Sequence, residues 1–221
     1  MTVLLTCAGA ALGAAAGALL CLGARRVLNE QPPVAWLAGP RALALCSALA
    51  ALLSAVVLPQ YPHFPGAALA LSSLWLALFH ALTDMADGYI YDAAVLVSFG
   101  VAFALRSFFG ARLMLLEISL GAGAGWTPLA LIILLTRGSM GWGDASMMAG
   151  LGALMGWKLT LLTLYAGFIA GGAAALVLLV LGRVRRGDVL PLAPFLALGT
   201  AIALIFGQKL FSWLGTGAGL F

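Results

Sequence analysis

An all-α, polytopic membrane bundle of about eight transmembrane helices is the architecture predicted for this chain, and three observations predict it. Of 221 residues, 64% are hydrophobic and only 8% are charged, against about 45–50% and about 25% in soluble domains. Mean hydropathy is +1.13. The apolar residues fall into long runs separated by charges, prolines and glycines, and a bilayer crossing takes roughly 20 such residues. Eleven basic and seven acidic residues cannot cover a soluble globule of this size, and a chain this apolar is not disordered. The net charge of +4 is a matter of loop placement and does not point to nucleic acid.

Taken in order, spans are expected at 3–23, 41–58, 66–83, 91–109, 112–135, 144–157, 159–181 and 189–207. Arg25–Arg26, Gln31–Pro33, Pro59 to Pro65, Arg106 to Arg112, Arg137–Gly138 and Arg183 to Asp188 punctuate them. The sixth span is short, and its border with the seventh is set at Trp157–Lys158. The first segment lacks a basic region before its apolar run and carries its positive charges after it, so a retained span is expected rather than a signal peptide. No linker or composition shift divides the chain, which is expected to form one membrane-embedded domain over 1–221.

Basic residues orient the bundle. With the N-terminus outside, Arg25, Arg26, Arg41, Arg137, Arg183, Arg185 and Arg186 face the cytoplasm, whereas Arg106, Arg112, Lys158 and Lys209 do not. The loops near Asp84–Asp92 and Gly138–Asp144 then open on the same, cytoplasmic side. Glycines at helical spacing (Gly150, Gly152 and Gly156; Gly167, Gly171 and Gly172; the Gly121–Gly125 stretch) are expected to let helices pack closely in lipid. Cys7, Cys21 and Cys46 lie in apolar runs without CxxC spacing, so neither a disulfide framework nor a zinc ribbon is indicated.

The seven carboxylates are Glu30, Asp84, Asp87, Asp92, Glu117, Asp144 and Asp188, and acids at membrane depth need a reason because each costs about 2.5–3.5 kcal/mol at a helix centre. Asp84, Asp87 and Asp92 bracket the junction of the third and fourth spans, and Asp144 opens the sixth after Gly141-Trp142-Gly143. Asp92, Asp188 and Asp87 read as loop acids or helix caps. Asp84 ends a helix, where a negative charge meets the unfavourable end of the macrodipole, while Asp144 begins one, where it is comfortable. Such an asymmetric pair suits aspartyl proteolysis. Two close carboxyls share a proton, the charged one deprotonates water, and the protonated one donates to the developing oxyanion. No metal, cofactor or nucleophilic side chain is needed. The two acids are 60 residues apart, so only helix packing can unite them.

These stretches resemble the type IV prepilin peptidases, of the GxGD class of intramembrane aspartyl proteases. Asp84-x7-Asp92 is similar to the family's first motif. Ser139-Met140-Gly141-Trp142-Gly143-Asp144, followed by Gly150 to Trp157, is similar to its second, and Leu190-Pro191-Leu192-Ala193-Pro194-Phe195 to its C-terminal segment. The resemblance covers roughly 60–207. It implies that Asp84 and Asp144 are the catalytic pair, with Gly141 and Gly143 allowing a tight turn or a substrate strand beside Asp144. It implies a bacterial inner-membrane enzyme acting at the cytoplasmic face, with the leaders of prepilin or pseudopilin proteins as its substrates and the bilayer as its setting. Tyr91 stands where the family commonly has proline, Ala145-Ser146-Met147 where it has x-Lys-Leu, and Leu192-Ala193 where it has Phe-Gly. Longer members carry two CxxC pairs between the first two spans and methylate the trimmed product. Here Ala24 to Pro40 holds no cysteine, so peptidase activity is expected and methyl transfer is unsupported.

His80, four residues before Asp84, is expected to be structural and bonded to a backbone carbonyl; Trp142 is expected to anchor at the interface. Two rival readings remain. A presenilin-like or signal-peptide-peptidase-like protease would pair Asp92, after Tyr91, with Asp144. A proton-coupled transporter would carry its acids in mid-helix, facing a cavity.

Overall fold

A computed structural model describes residues 2–28, 37, 39–108, 114–136, 140–185 and 190–215. Glu30, Gln31–Pro33, Arg112, Arg137 to Ser139, Arg186 and Asp188 lie outside the described residues. The described helices are α1 (Thr2–Leu28), α2 (Pro40–Val57, prolonged by a 3-10 turn at Leu58–Gln60), α3 (Phe64–Asp87) and α4 (Asp92–Phe108). They continue with α5 (Met114–Leu135), α6 (Trp142–Met155), α7 (Trp157–Val180) and α8 (Ala193–Trp213). No strand occurs among the described residues.

The expected number of helices is present, but only six of them, α1, α2, α3, α5, α7 and α8, are long and apolar enough to cross a membrane. The α4 and α6 helices have 17 and 14 residues. At about 1.5 Å rise per residue, α6 falls well short of the roughly 30 Å hydrocarbon core. Its sequence explains why it persists nonetheless. Met147 through Met155 is apolar around the whole helix and every one of these residues is buried, the pattern of a helix enclosed by others. It is wrapped by α3, α4, α5 and α7. The α3 helix is the other hub, packing on α1, α4, α6 and α8.

Small residues set the closest crossings. Gly9, Gly13 and Gly17 of α1 lie against the backbone of Ser54, Ala50 and Cys46 in α2, and Gly121 and Gly125 of α5 lie against that of Gly152 and Met148 in α6. Gly167 and Gly199 bring α7 onto α8, and Gly150 meets Ser98 of α4. The expected glycine packing therefore holds at most positions, for the reason given by the absence of a hydrophobic drive in lipid. It fails at Gly123 and Gly172, which face open space, and Gly156 has a different role.

Gly156 alone joins α6 to α7, with φ 76° and ψ 165°, closing α6 by donating its N–H to the carbonyl of Gly152. The break thus falls one residue before the expected border. That backbone region is essentially restricted to glycine, and other residues pay about 1–3 kcal/mol there. Gly156→Ala is expected to lower the thermal unfolding midpoint of the detergent-solubilised protein by that cost.

Two further contacts tie the ends. The Tyr61 hydroxyl donates to the carbonyl of Leu204 at 3.0 Å, fixing the α2–α3 connection to α8. Arg106, expected near the end of the fourth span, is 5% exposed within α4. It pairs with Glu117 and donates to the Leu154 carbonyl at 3.3 Å, a cation placed where α6 ends in unpaired carbonyls.

Candidate active site

The last turn of α3 carries Asp84, and Gly88 ends the helix in the left-handed conformation, φ 72°, its N–H donating to the Asp84 carbonyl at 2.9 Å. The chain then passes Tyr89-Ile90-Tyr91 to Asp92, the first residue of α4. Asp144 lies in the first turn of α6, whose entry follows from Gly141, in extended conformation, capping the helix start. Ala193 opens α8. Four helix termini thus converge at one end of the bundle.

There they enclose a cavity of about 510 Å³ lined by Asp84, Asp92 and Asp144 together with Tyr89, Trp126 and Trp142. Ligand-binding cavities have this size. The two acids singled out in the sequence face the same space, and the charge of Asp84 acts on Asp144. Asp84 is not isolated at its helix end. The Ala193 N–H donates to its Oδ2 at 3.0 Å, so the start of α8 supplies what the end of α3 withholds. Unpaired N–H groups and the positive dipole end of a helix favour a bound carboxylate. The asymmetry expected from helix ends alone, with Asp84 disfavoured and Asp144 comfortable, therefore does not hold: Asp84 is the acid with a donor aimed at it.

Asp92, expected to be a solvated cap, lines the cavity as a third carboxylate, 3.5 Å from the Ser146 hydroxyl. Ser146 stands where a lysine is usual in the resemblance; its hydroxyl donates to the Gly143 carbonyl at 2.9 Å. No basic side chain lines the cavity among the described residues. Asp87 is outside it and organises the loop, its carboxylate accepting the Tyr89 N–H at 3.0 Å and the Tyr91 hydroxyl at 2.8 Å. The tyrosine that replaces the usual proline thus holds the loop through a hydrogen bond instead of a fixed φ.

Of the two roles expected for these glycines, a tight turn or room for a substrate strand, the geometry at Gly141 does not require the first. Gly141 has φ −73° and ψ 141°, open to any residue, but a Cβ there would sit 3.9 Å from Asp144 Oδ2. Its hydrogen keeps the approach to that carboxylate clear. A Cβ on Gly143 would meet the side chain of Ile90 at 3.0 Å, so this glycine lets the two loops close on each other. Gly141→Val is expected to leave expression and unfolding midpoint near those of the unsubstituted protein while reducing turnover at this site about tenfold or more, as a branched side chain crowds the approach to Asp144.

Trp142 lines the cavity and its ring lies 6.2 Å from that of Trp126, a role beyond an interface anchor. His80 is fully buried one turn before Asp84, and neither ring nitrogen has a hydrogen-bond partner; the expected carbonyl bond is not made, and the ring instead contacts Phe79 edge-on at 5.8 Å. Sequence reasoning missed Trp126, Tyr89 and Ser146 as cavity residues and missed the backbone N–H of Ala193. The last had a signal, since a helix start just after Pro191 leaves donors free.

Fold and site together define a multi-pass helical membrane protein with carboxylates gathered in a cavity at the helix ends. The Type IV leader peptidase family model matches residues 70–176, which include Asp84, Asp92 and Asp144. The chain belongs to that family. It is 36% identical over 157 residues to a "Prepilin leader peptidase/N-methyltransferase" of Burkholderia pseudomallei, covering 68% of this chain and 50% of the relative. It is 31% identical over 167 residues to the protein of that name in Pseudomonas putida, covering 73% and 58%. A Bacillus subtilis protein of the same name is 31% identical over 94 residues, covering 42% and 38%. The chain spans about half the length of the first of these relatives. No solved structure matches it at a significant level.

Proposed function

We propose that this chain is an aspartic endopeptidase that removes the leader from prepilin or pseudopilin proteins at the cytoplasmic face of a bacterial inner membrane. The observation that carries the reading is the placement of Asp84 and Asp144 on one cavity, with the Ala193 N–H on Asp84. Family membership and relatives named as prepilin leader peptidases support it.

In this mechanism Asp84, charged and held by Ala193, takes a proton from water, and the water oxygen attacks the scissile carbonyl carbon. Asp144, protonated because two near carboxyls do not ionise together, gives its proton to the carbonyl oxygen. Collapse of the tetrahedral diol returns a hydroxyl proton to Asp144 as the C–N bond breaks, and the leaving nitrogen takes the proton Asp84 had accepted. Charged carboxylates at Asp84 and Asp92, without a described basic neighbour on the cavity, give it a negative field, which draws a cationic leader towards the dyad. The proposal concerns peptide cleavage and does not extend to the methyltransferase half of the relatives' name.

The test is cleavage in membranes of a prepilin-like protein encoded in the same genome. A shortened product whose new N-terminus lies at the junction of leader and apolar helix supports the reading. Uptake of a labelled solute by liposomes containing this protein, with no cleavage of any such substrate, favours proton-coupled transport instead.

A further inference from the structure

An apolar crevice of about 260 Å³ lies against α3, between α2 and α8. One wall is the α3 face formed by Leu78, Ala81, Leu82 and Met85; another is the α8 face formed by Pro194, Ala197, Leu198 and Ala201. Both sets have the i, i+3, i+4, i+7 spacing of a single helix stripe. The α3 wall ends at Met85, the neighbour of Asp84, and the α8 wall begins at Pro194, the neighbour of Ala193. The two walls therefore meet at the hydrogen bond from Ala193 to Asp84.

We propose that this crevice seats the apolar transmembrane helix of the protein substrate, with the substrate backbone leaving the helix at the Asp84 end to become the strand that is cut. This rests on the peptidase reading above and adds where the substrate is held. A polypeptide lying in lipid satisfies its backbone only as a helix, and the walls carry almost nothing polar for any other conformation to bond. Ala81, Ala197 and Ala201 are small, which lets a second helix approach closely, the way helices associate in bilayers. A second crevice of similar volume, with Leu76, Val97 and Val101 on its walls, lies between α3 and α4. Its α3 wall stops at Phe79, more than a turn short of Asp84, and its α4 wall starts at Ala94, two residues from Asp92, so a helix seated there meets the cavity at Asp92 and not at Asp84.

The experiment uses the full chain in membranes, with a photo-cross-linking p-benzoylphenylalanine replacing Leu49 or Leu198 on the first crevice or Val97 on the second. All three side chains are at least half exposed, at 50%, 50% and 61%. The probe is a membrane-spanning prepilin-like protein, compared with a water-soluble peptide that contains its leader junction and lacks the apolar helix. Cross-links to the substrate's apolar helix are expected from positions 49 and 198 and not from 97. Leu198→Trp, which fills the crevice, is expected to raise KM for the membrane-spanning substrate about tenfold while kcat/KM for the peptide stays within about twofold. Cross-links from position 97 alone, cross-links to lipid alone, or equal slowing of both substrates overturns the proposal. Cross-linking is scored in the unsubstituted background and with Asp84→Asn, so it does not depend on cleavage: substrate cross-linked at 198 but never cut keeps the docking surface and removes the peptidase reading.

Discussion

Asp84→Asn and Asp144→Asn are each expected to lower kcat/KM for leader cleavage by at least about 10³-fold, while Asp92→Asn retains most of it. Asparagine matches the size of aspartate and its carbonyl oxygen still accepts the Ala193 N–H, so the first substitution removes the exchangeable proton and charge without removing the contact that holds the residue. Asp144 makes the same point from the other side of the cavity. Asp92 faces the same space, so it is the fair control: a carboxylate on the same cavity that is given no part in moving protons. The measurement is product formation in membranes at matched expression. Loss in the Asp92 and Asp144 variants with activity kept in Asp84→Asn would transfer the pair to Asp92–Asp144 and favour the presenilin-like arrangement.

The second large effect is structural. Gly125→Leu is expected to cost at least about 3 kcal/mol, enough to abolish a folded, monodisperse protein in detergent. A Cβ at this position would overlap the backbone carbonyl of Met148, and one at Gly121 would overlap that of Gly152. Neither neighbour is the end of a flexible side chain, so α5 and α6 would have to separate, and α6 carries Asp144. Gly123, two residues away on the same helix, meets nothing within 4 Å. Gly123→Ala is expected to be neutral or to stabilise by up to about 1 kcal/mol, because it removes backbone freedom without a clash. A size-exclusion profile and thermal unfolding of the two variants side by side checks both statements. Equal behaviour would mean that the α5–α6 crossing is not the constraint the geometry implies.

The helices were legible because each is written locally: a run of apolar residues between Pro, Gly and charge sets its ends within a few residues. Asp84 and Asp144 stood out for a related reason, since a carboxylate bordering such a run is costly in lipid and so is rarely there by accident. Asp92 is an exposed acid at the start of α4, as its position suggested, but its place on the cavity depends on packing and was not legible. Of the two roles expected for Gly141, the tight turn is not needed, since its φ and ψ are ordinary, and the open approach to Asp144 is the one its surroundings allow. The short α6 could be counted but not understood until four neighbours were seen around it.

By itself the sequence determined that this protein is a multi-pass helical bundle, where its helices break, and which two acids demand an explanation. Those properties follow from hydrophobicity and backbone chemistry, which act residue by residue. Only the tertiary structure decided that, among the described residues, six helices are long and apolar enough to span a membrane, that three carboxylates rather than two share the cavity, and that the first amide of α8 is aimed at Asp84 across 109 positions of chain. Each of these depends on which helix faces lie against one another, a choice made by the shapes of small residues at the crossings and encoded in no single segment.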